Sequence, residues 1–180
     1  MAGIPQANFL EGIARSIING DELINAAKLL YDDESYPSSV FIAYQGIEEY
    51  GKAILLIDDM EKEIIEISKN RWDNLYCSHK KKLARIRKAI EEHLYEKMER
   101  SEERARIPLR EVIKVSTEFA FSDKIRNMYV NWDFEKGSWV SPQDVIDSRI
   151  DAMSLIFFAR NTKMALEIIL EKSSLRLSVS

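Results

Sequence analysis

Four prolines and six glycines in 180 residues leave the chain with few helix breakers, and their positions constrain the fold more than any other feature. Pro5, Pro37, Pro108 and Pro142 each precede a long stretch without another proline. Proline suits the first turn of a helix, where its missing N–H would find no intrahelical partner anyway. Ser141-Pro142-Gln143-Asp144 adds an N-cap with an acidic residue three positions on, close to a capping box. Asn70-Arg71-Trp72-Asp73 is a weaker form of the same signal. The spacing predicts five helical segments, over 6–33 (weakest at Asn19-Gly20-Asp21), 37–62, 70–100, 108–131 and 142–171. The expected fold is all-α: an antiparallel bundle of about five long helices forming one domain over 1–180, the longer helices extending about 35–45 Å.

Apolar residues recur at helical spacing at Phe41, Tyr44, Ile47, Ile54 and Leu55, and again at Ile146, Ile150, Met153, Phe157, Met164 and Ile168. Both series read as core-facing stripes. Between residues 131 and 139 lies a loop in which Trp132, Phe134 and Trp139 are expected to fold down onto the bundle. A formal net charge of -4 provides no global positive field for nucleic acid. The lone Cys77 excludes an internal disulfide and fits a reducing compartment. Met1 to Ile18 lacks the basic start and apolar run of a signal peptide. Apolar runs such as Ala53 to Ile57 are far below the roughly 20 residues that cross a bilayer. The expectation is a cytoplasmic protein without membrane contact.

Polar residues in line with core positions carry the functional information, because burying them is costly unless they are partnered. Glu48 is in line with Phe41, Tyr44 and Leu55, with Gly51 and Lys52 on the next turn. A mid-helix glycine costs about 1 kcal/mol relative to alanine, so Gly51 marks a place where a backbone or ligand comes close. Glu48 and Lys52 also have the spacing of an i,i+4 ion pair. Arg126 falls in register with Val112, Phe119 and Val130, and Arg160, followed by Asn161, falls between Phe157 and Met164. Such arginines either snorkel outward or join a shared buried network. His79 opens a basic strip through Lys80, Lys81, Lys82, Arg85, Arg87 and Lys88. The strip either contacts nucleic acid, with Lys80, Lys81, Lys82 and Arg85 on the phosphates, or is a solvated face balancing Glu91, Glu92, Glu96 and Glu99. Neither histidine stands in a Glu-x-x-His pair, Cys77 and His79 are too few for zinc, and no P-loop, Gly-x-Ser-x-Gly elbow or dinucleotide fingerprint occurs. No metal and no cofactor are expected.

Asn25-Ala26, then Tyr36-Pro37-Ser38-Ser39 leading into Ala43-Tyr44-Gln45-Gly46-Ile47-Glu48-Glu49-Tyr50-Gly51-Lys52, resembles the signature region of AbiV-type abortive-infection proteins. His79 with Lys82-Leu83 resembles the next block of that family. Arg126, Tyr129-Val130 and the Trp132-Asp133…Gly137…Ser141-Pro142 stretch resemble the third. The resemblance implies a place near the HEPN superfamily of helical domains, which commonly form homodimers and include many RNases. Those RNases carry an Arg-x(4–6)-His motif in which residues of two protomers converge on RNA. Arg87-x5-His93 has that spacing, but Lys88 stands where the motif prefers a small polar residue; Arg126-x4-Asn131 is a degenerate copy. The implied catalytic candidates are His79, Arg126, Glu48 and Lys52, with Arg87 and His93 as the spacing match. Two functions follow as expectations: an antiphage effector acting on or binding RNA, or a non-catalytic dimeric module that senses or blocks a phage or host protein. A nucleotide-binding bundle ranks last, because no phosphate-cradling loop is present.

Overall fold

A computed structural model describes residues 3–94, 131–133, 137–142 and 148–173. The first two helices, α1 (Phe9–Asp32) and α2 (Tyr36–Glu61), form an antiparallel hairpin, with Pro37 in the first turn of α2. α1 runs unbroken through Asn19-Gly20-Asp21. Gly20 is tolerated there because the Tyr50 ring covers it: a Cβ at Gly20 would come within 2.5 Å of Tyr50 Cε1. Gly46 meets Ile24 in the same way, at 2.8 Å from Ile24 Cδ1. Small residues here let the two helices approach closely.

α2 is buried on almost every side, from Val40 through Ile47 and Ile54 to Ile57, and packs against α1 and two later helices, His79–Ala89 and Ser148–Lys172. A helix that is apolar all round belongs at the centre of a fold. Any charge on it must therefore be answered by a neighbouring element, and Glu48 and Asp59 are both buried.

After α2, a two-residue strand β2 (Glu66–Ile67) pairs antiparallel with β1 (Ile4–Pro5) and fastens the start of the described chain. A single turn α3 (Lys69–Arg71) follows, capped by Ser68 Oγ, which accepts the Arg71 N–H at 3.2 Å. The chain then widens into a π turn (Trp72–Tyr76) before α4 (His79–Ala89), which continues as a second π turn (Ile90–Leu94). The single helix predicted over 70–100 is thus interrupted. Ser78 is extended (φ -83, ψ 108), and the break at Cys77-Ser78 places His79 at the first position of α4. The cap is Ser68, two residues ahead of the Asn70 signal read from the sequence. Residues 95–100, and nearly all of the segment expected over 108–131, lie outside the described residues.

The expected loop contains a hairpin, β3 (Asn131–Asp133) with β4 (Ser138–Val140), in which Trp132 opposes Trp139. Gly137 takes φ 61, the left-handed conformation that glycine adopts without steric cost. Trp139 is 68% exposed and does not fold onto the bundle.

The last helix, α5 (Ser148–Lys172), corrects the predicted stripe. Ile150, Met153, Phe157 and Met164 are exposed, Ile168 is partly buried, and Ile146 lies outside the described residues. The buried face carries Ala152, Leu155, Phe158, Ala159, Thr162, Ala165, Leu166 and Ile169. Two apolar series at helical spacing are interleaved on this helix. The one containing three alanines lies against the core because small side chains allow close helix contact. Arg160 therefore faces solvent, and the buried Asn161 donates its Nδ2–H to Phe157 O at 3.0 Å. Together these elements form an all-α bundle.

Candidate functional site

Gly51 decides where α4 lies. A Cβ at this position would come within 2.8 Å of Ile86 Cδ1 and 3.1 Å of Lys82 Cβ, so only glycine lets α4 settle this closely on α2. One turn earlier, the Glu48 carboxylate points at α4 and both of its oxygens are engaged. Lys82 Nζ donates to Oε2 at 3.0 Å, and His79 Nδ1 hydrogen-bonds to Oε1. An ionised carboxylate can only accept, so Nδ1 carries the proton and Nε2 is the ring nitrogen directed away from Glu48.

Burial is graded across this cluster. The Glu48 and Lys82 side chains are 4% and 7% exposed, whereas His79 is 42% exposed. The ion pair lies in the core and the imidazole stands at the surface. Tyr44, one turn before Glu48 on α2, is buried too; burial first, and the Glu48 charge second, push its phenol well above the ordinary tyrosine value. It stays neutral at any physiological pH.

The structure distributes the sequence candidates unequally. Glu48 and His79 meet, and Lys82, read from the sequence as a phosphate contact, joins them instead of facing solvent. Lys52 does not pair with Glu48. Its Nζ reaches Glu49 Oε1 at 2.6 Å, on another side of α2. Arg85 is committed to Asp58 through two hydrogen bonds of 2.6 and 2.8 Å, with Nη1 3.7 Å from Glu92 Oε2. Lys80 and Lys81 remain exposed beside His79. Arg87 and His93 have separate partners: Arg87 Nε donates to Glu91 at 3.0 Å, and His93 Nδ1 lies 3.3 Å from Lys172 Nζ on α5. Arg126 lies outside the described residues.

Two further polar clusters escaped sequence reading. Asp59 is buried, receiving Arg71 Nε at 2.8 Å and the Tyr76 hydroxyl at 2.7 Å, while Tyr76 stacks on Trp72 with ring centroids 5.0 Å apart. Burial acts to raise the Asp59 pKa, but the Arg71 and Tyr76 hydrogen bonds outweigh it and hold the carboxyl below the usual aspartate value. Asp21 binds the Tyr50 hydroxyl at 2.6 Å and Lys163 Nζ at 2.7 Å, joining α1, α2 and α5. A period-based signal was available for Lys82. It shares the α4 stripe with Ile86, Ala89 and Ile90, so it is the lysine of the basic strip that must turn inward.

Among the described residues, no three His, Cys, Asp or Glu side chains gather as a metal-binding set, and no helix is long and apolar enough to cross a membrane. The family model described as AbiV, of HEPN type, matches residues 8–160. No curated protein and no solved structure matches the chain.

Proposed function

The chain belongs to the AbiV family of abortive-infection, HEPN-type proteins, and from that premise we propose that it acts in antiphage defence on RNA, with His79 as the acid–base residue. One observation carries the reading. A half-exposed imidazole is held by a buried carboxylate, which is in turn held by a buried ammonium. Carboxylate–imidazole pairs of this kind fix the ring and its tautomer, and they stabilise the imidazolium when the outer nitrogen takes a proton. Glu48 also accepts from Lys82 Nζ, so it acts as an acceptor in that pair.

In RNA cleavage, the 2′-hydroxyl attacks the adjacent phosphorus while the P–O5′ bond breaks. His79 Nε2 takes the hydroxyl proton, and a solvent water protonates the departing 5′-oxygen. Lys80 and Lys81, exposed on the same first turn of α4, would lie against the phosphate. Its charge is also favoured at a helix N-terminus. Glu48 and Lys82 touch no substrate; they position His79.

A second reading, a non-catalytic module that senses or blocks a phage or host protein, draws on the near-complete burial of Glu48 and Lys82. A buried ion pair can serve helix register alone. The two readings separate on purified protein given 5′-labelled single-stranded RNA. Under the first, RNA is cut, His79→Ala abolishes cutting while the melting temperature holds, and binding weakens steeply with salt. Intact RNA and no salt-dependent retention would remove that reading.

A further inference from the structure

The most specific block of the sequence, residues 48–52, faces two ways. Glu48 turns toward α4, but Glu49 and Lys52 line a cleft of about 550 Å³ between α1 and α2, shared with Leu56 and Trp72. That volume falls within the range of small-ligand sites. Both cations in the lining are already spent: Lys52 Nζ donates to the two Glu49 carboxylate oxygens at 2.6 and 2.7 Å, and Arg15 Nε to Glu11 at 2.8 Å. The remaining charged group, the exposed Glu22 carboxylate, repels anions. The cleft therefore favours a neutral ligand. Its unspent groups are neutral too. Ser16 is only 6% exposed, yet among the described residues its hydroxyl has no hydrogen-bond partner and opens onto the cleft. Thr162 shows the ordinary alternative, donating to Phe158 O one turn back at 2.9 Å. Asn8 stands at the N-cap of α1, but its side chain makes no capping hydrogen bond, so a favoured cap goes unused. The Asn19 amide is likewise unpartnered among the described residues. A hydroxyl and two amides, each both donor and acceptor, thus share the cleft with Leu56 and with an indole stacked on Tyr76 at 17° between ring planes.

We propose that this cleft receives one unpaired base of an RNA strand, while the strand's phosphates stay outside. A nucleobase is neutral and flat. Its faces are apolar enough for Leu56 and Trp72, and its edge carries the donors and acceptors that Ser16, Asn8 and Asn19 can meet. A buried hydroxyl without a partner is costly, and a base edge supplies what Ser16 lacks. The cleft also lies beside the His79 cluster. Lys52 stands one turn from Glu48 on the same helix, their Cβ atoms about 5–6 Å apart, and Glu48 holds His79. A strand with one phosphate against Lys80 and Lys81 therefore comes within reach of the cleft with a neighbouring base. The proposal rests on the RNA reading above and adds base recognition to it.

The test is fluorescence anisotropy of the full chain with labelled 2′-O-methyl hexamers of A, C or U, and with an abasic 2′-O-methyl hexamer of equal charge. None has a free 2′-hydroxyl, so cutting does not intervene. At least one base-bearing hexamer should bind about fivefold or more tighter than the abasic one. Ser16→Ala and Asn19→Ala should each shrink that ratio about threefold or more. Ser16→Ala should do so with an unchanged melting temperature, because its hydroxyl holds no protein group. Asn19 is exposed, so its variant stays informative even where Ser16→Ala disturbs packing. Titration with adenosine, cytidine and uridine separates a strand from a free nucleoside; the nucleosides should bind more weakly than the hexamers. Equal binding of abasic and base-bearing hexamers, or a ratio that either variant leaves unmoved, would overturn the base site and leave the RNA reading standing. No binding of any hexamer would overturn both, and tighter binding of a nucleoside would overturn RNA as the occupant.

Discussion

Glu48 illustrates how one side chain can be both a stability element and a functional one. Removing it strands the buried Lys82 ammonium, the situation in which loss of a buried ion-pair partner costs about 3–5 kcal/mol. Glu48→Ala should therefore lower the urea-unfolding free energy by that amount. An effect under about 1 kcal/mol would mean that Lys82 finds water or another acceptor. Asp59 gives a pH-dependent counterpart. Its folded pKa is depressed, so the unfolded chain binds more protons than the folded one in the window between the two values. The stability it contributes is complete above the ordinary aspartate range and is lost as pH falls through the folded value. Melting temperatures of the native chain and of Asp59→Asn, measured from pH 6 down to pH 2, should converge at the acid end. A gap that stays constant across that range would contradict the assigned protonation.

At the level of elements, the joint between α2 and α4 rests on a missing side chain as much as on ion pairs. Gly51→Ala would drive a methyl group against Ile86 and Lys82. Overpacking of this kind costs about 1–3 kcal/mol, against a gain of about 1 kcal/mol in helix propensity. The net expectation is a modest loss of stability with a larger loss of any activity that depends on His79, because α4 carries both His79 and Lys82. Equal activity in Gly51→Ala would separate the glycine from the site. The Asp21–Tyr50–Lys163 link should matter less. Lys163 is 38% exposed, and Lys163→Met should change stability by less than about 1 kcal/mol in thermal unfolding.

Elements of this kind also mark what the sequence disclosed. The long helices were legible because breakers are rare and stand near helix starts, and Gly51 and Glu48 were legible as departures from their stripe. α5 was misread because two apolar series fit its period equally well, and packing selects the one rich in alanine. Within the basic strip Lys82 was misplaced because the strip was taken by composition, when the period of α4 singles Lys82 out as the inward lysine. Asp59 and Arg71 were not legible at all. Their pairing joins α2 to the single turn α3 across a change of chain direction, which no local pattern announces.

For the whole molecule, the chain is an AbiV-family bundle in which a central apolar helix forces charge onto its neighbours, and one of the resulting clusters reaches the surface through His79. The most direct test compares cleavage of single-stranded RNA by the native chain, His79→Asn and His93→Asn at matched folded concentration. The expected result is loss of cleavage in His79→Asn alone, with His93→Asn near native rate. Loss in His93→Asn with His79→Asn unaffected would place the chemistry at the Arg87–His93 spacing motif and contradict the assignment of the Glu48–His79–Lys82 cluster.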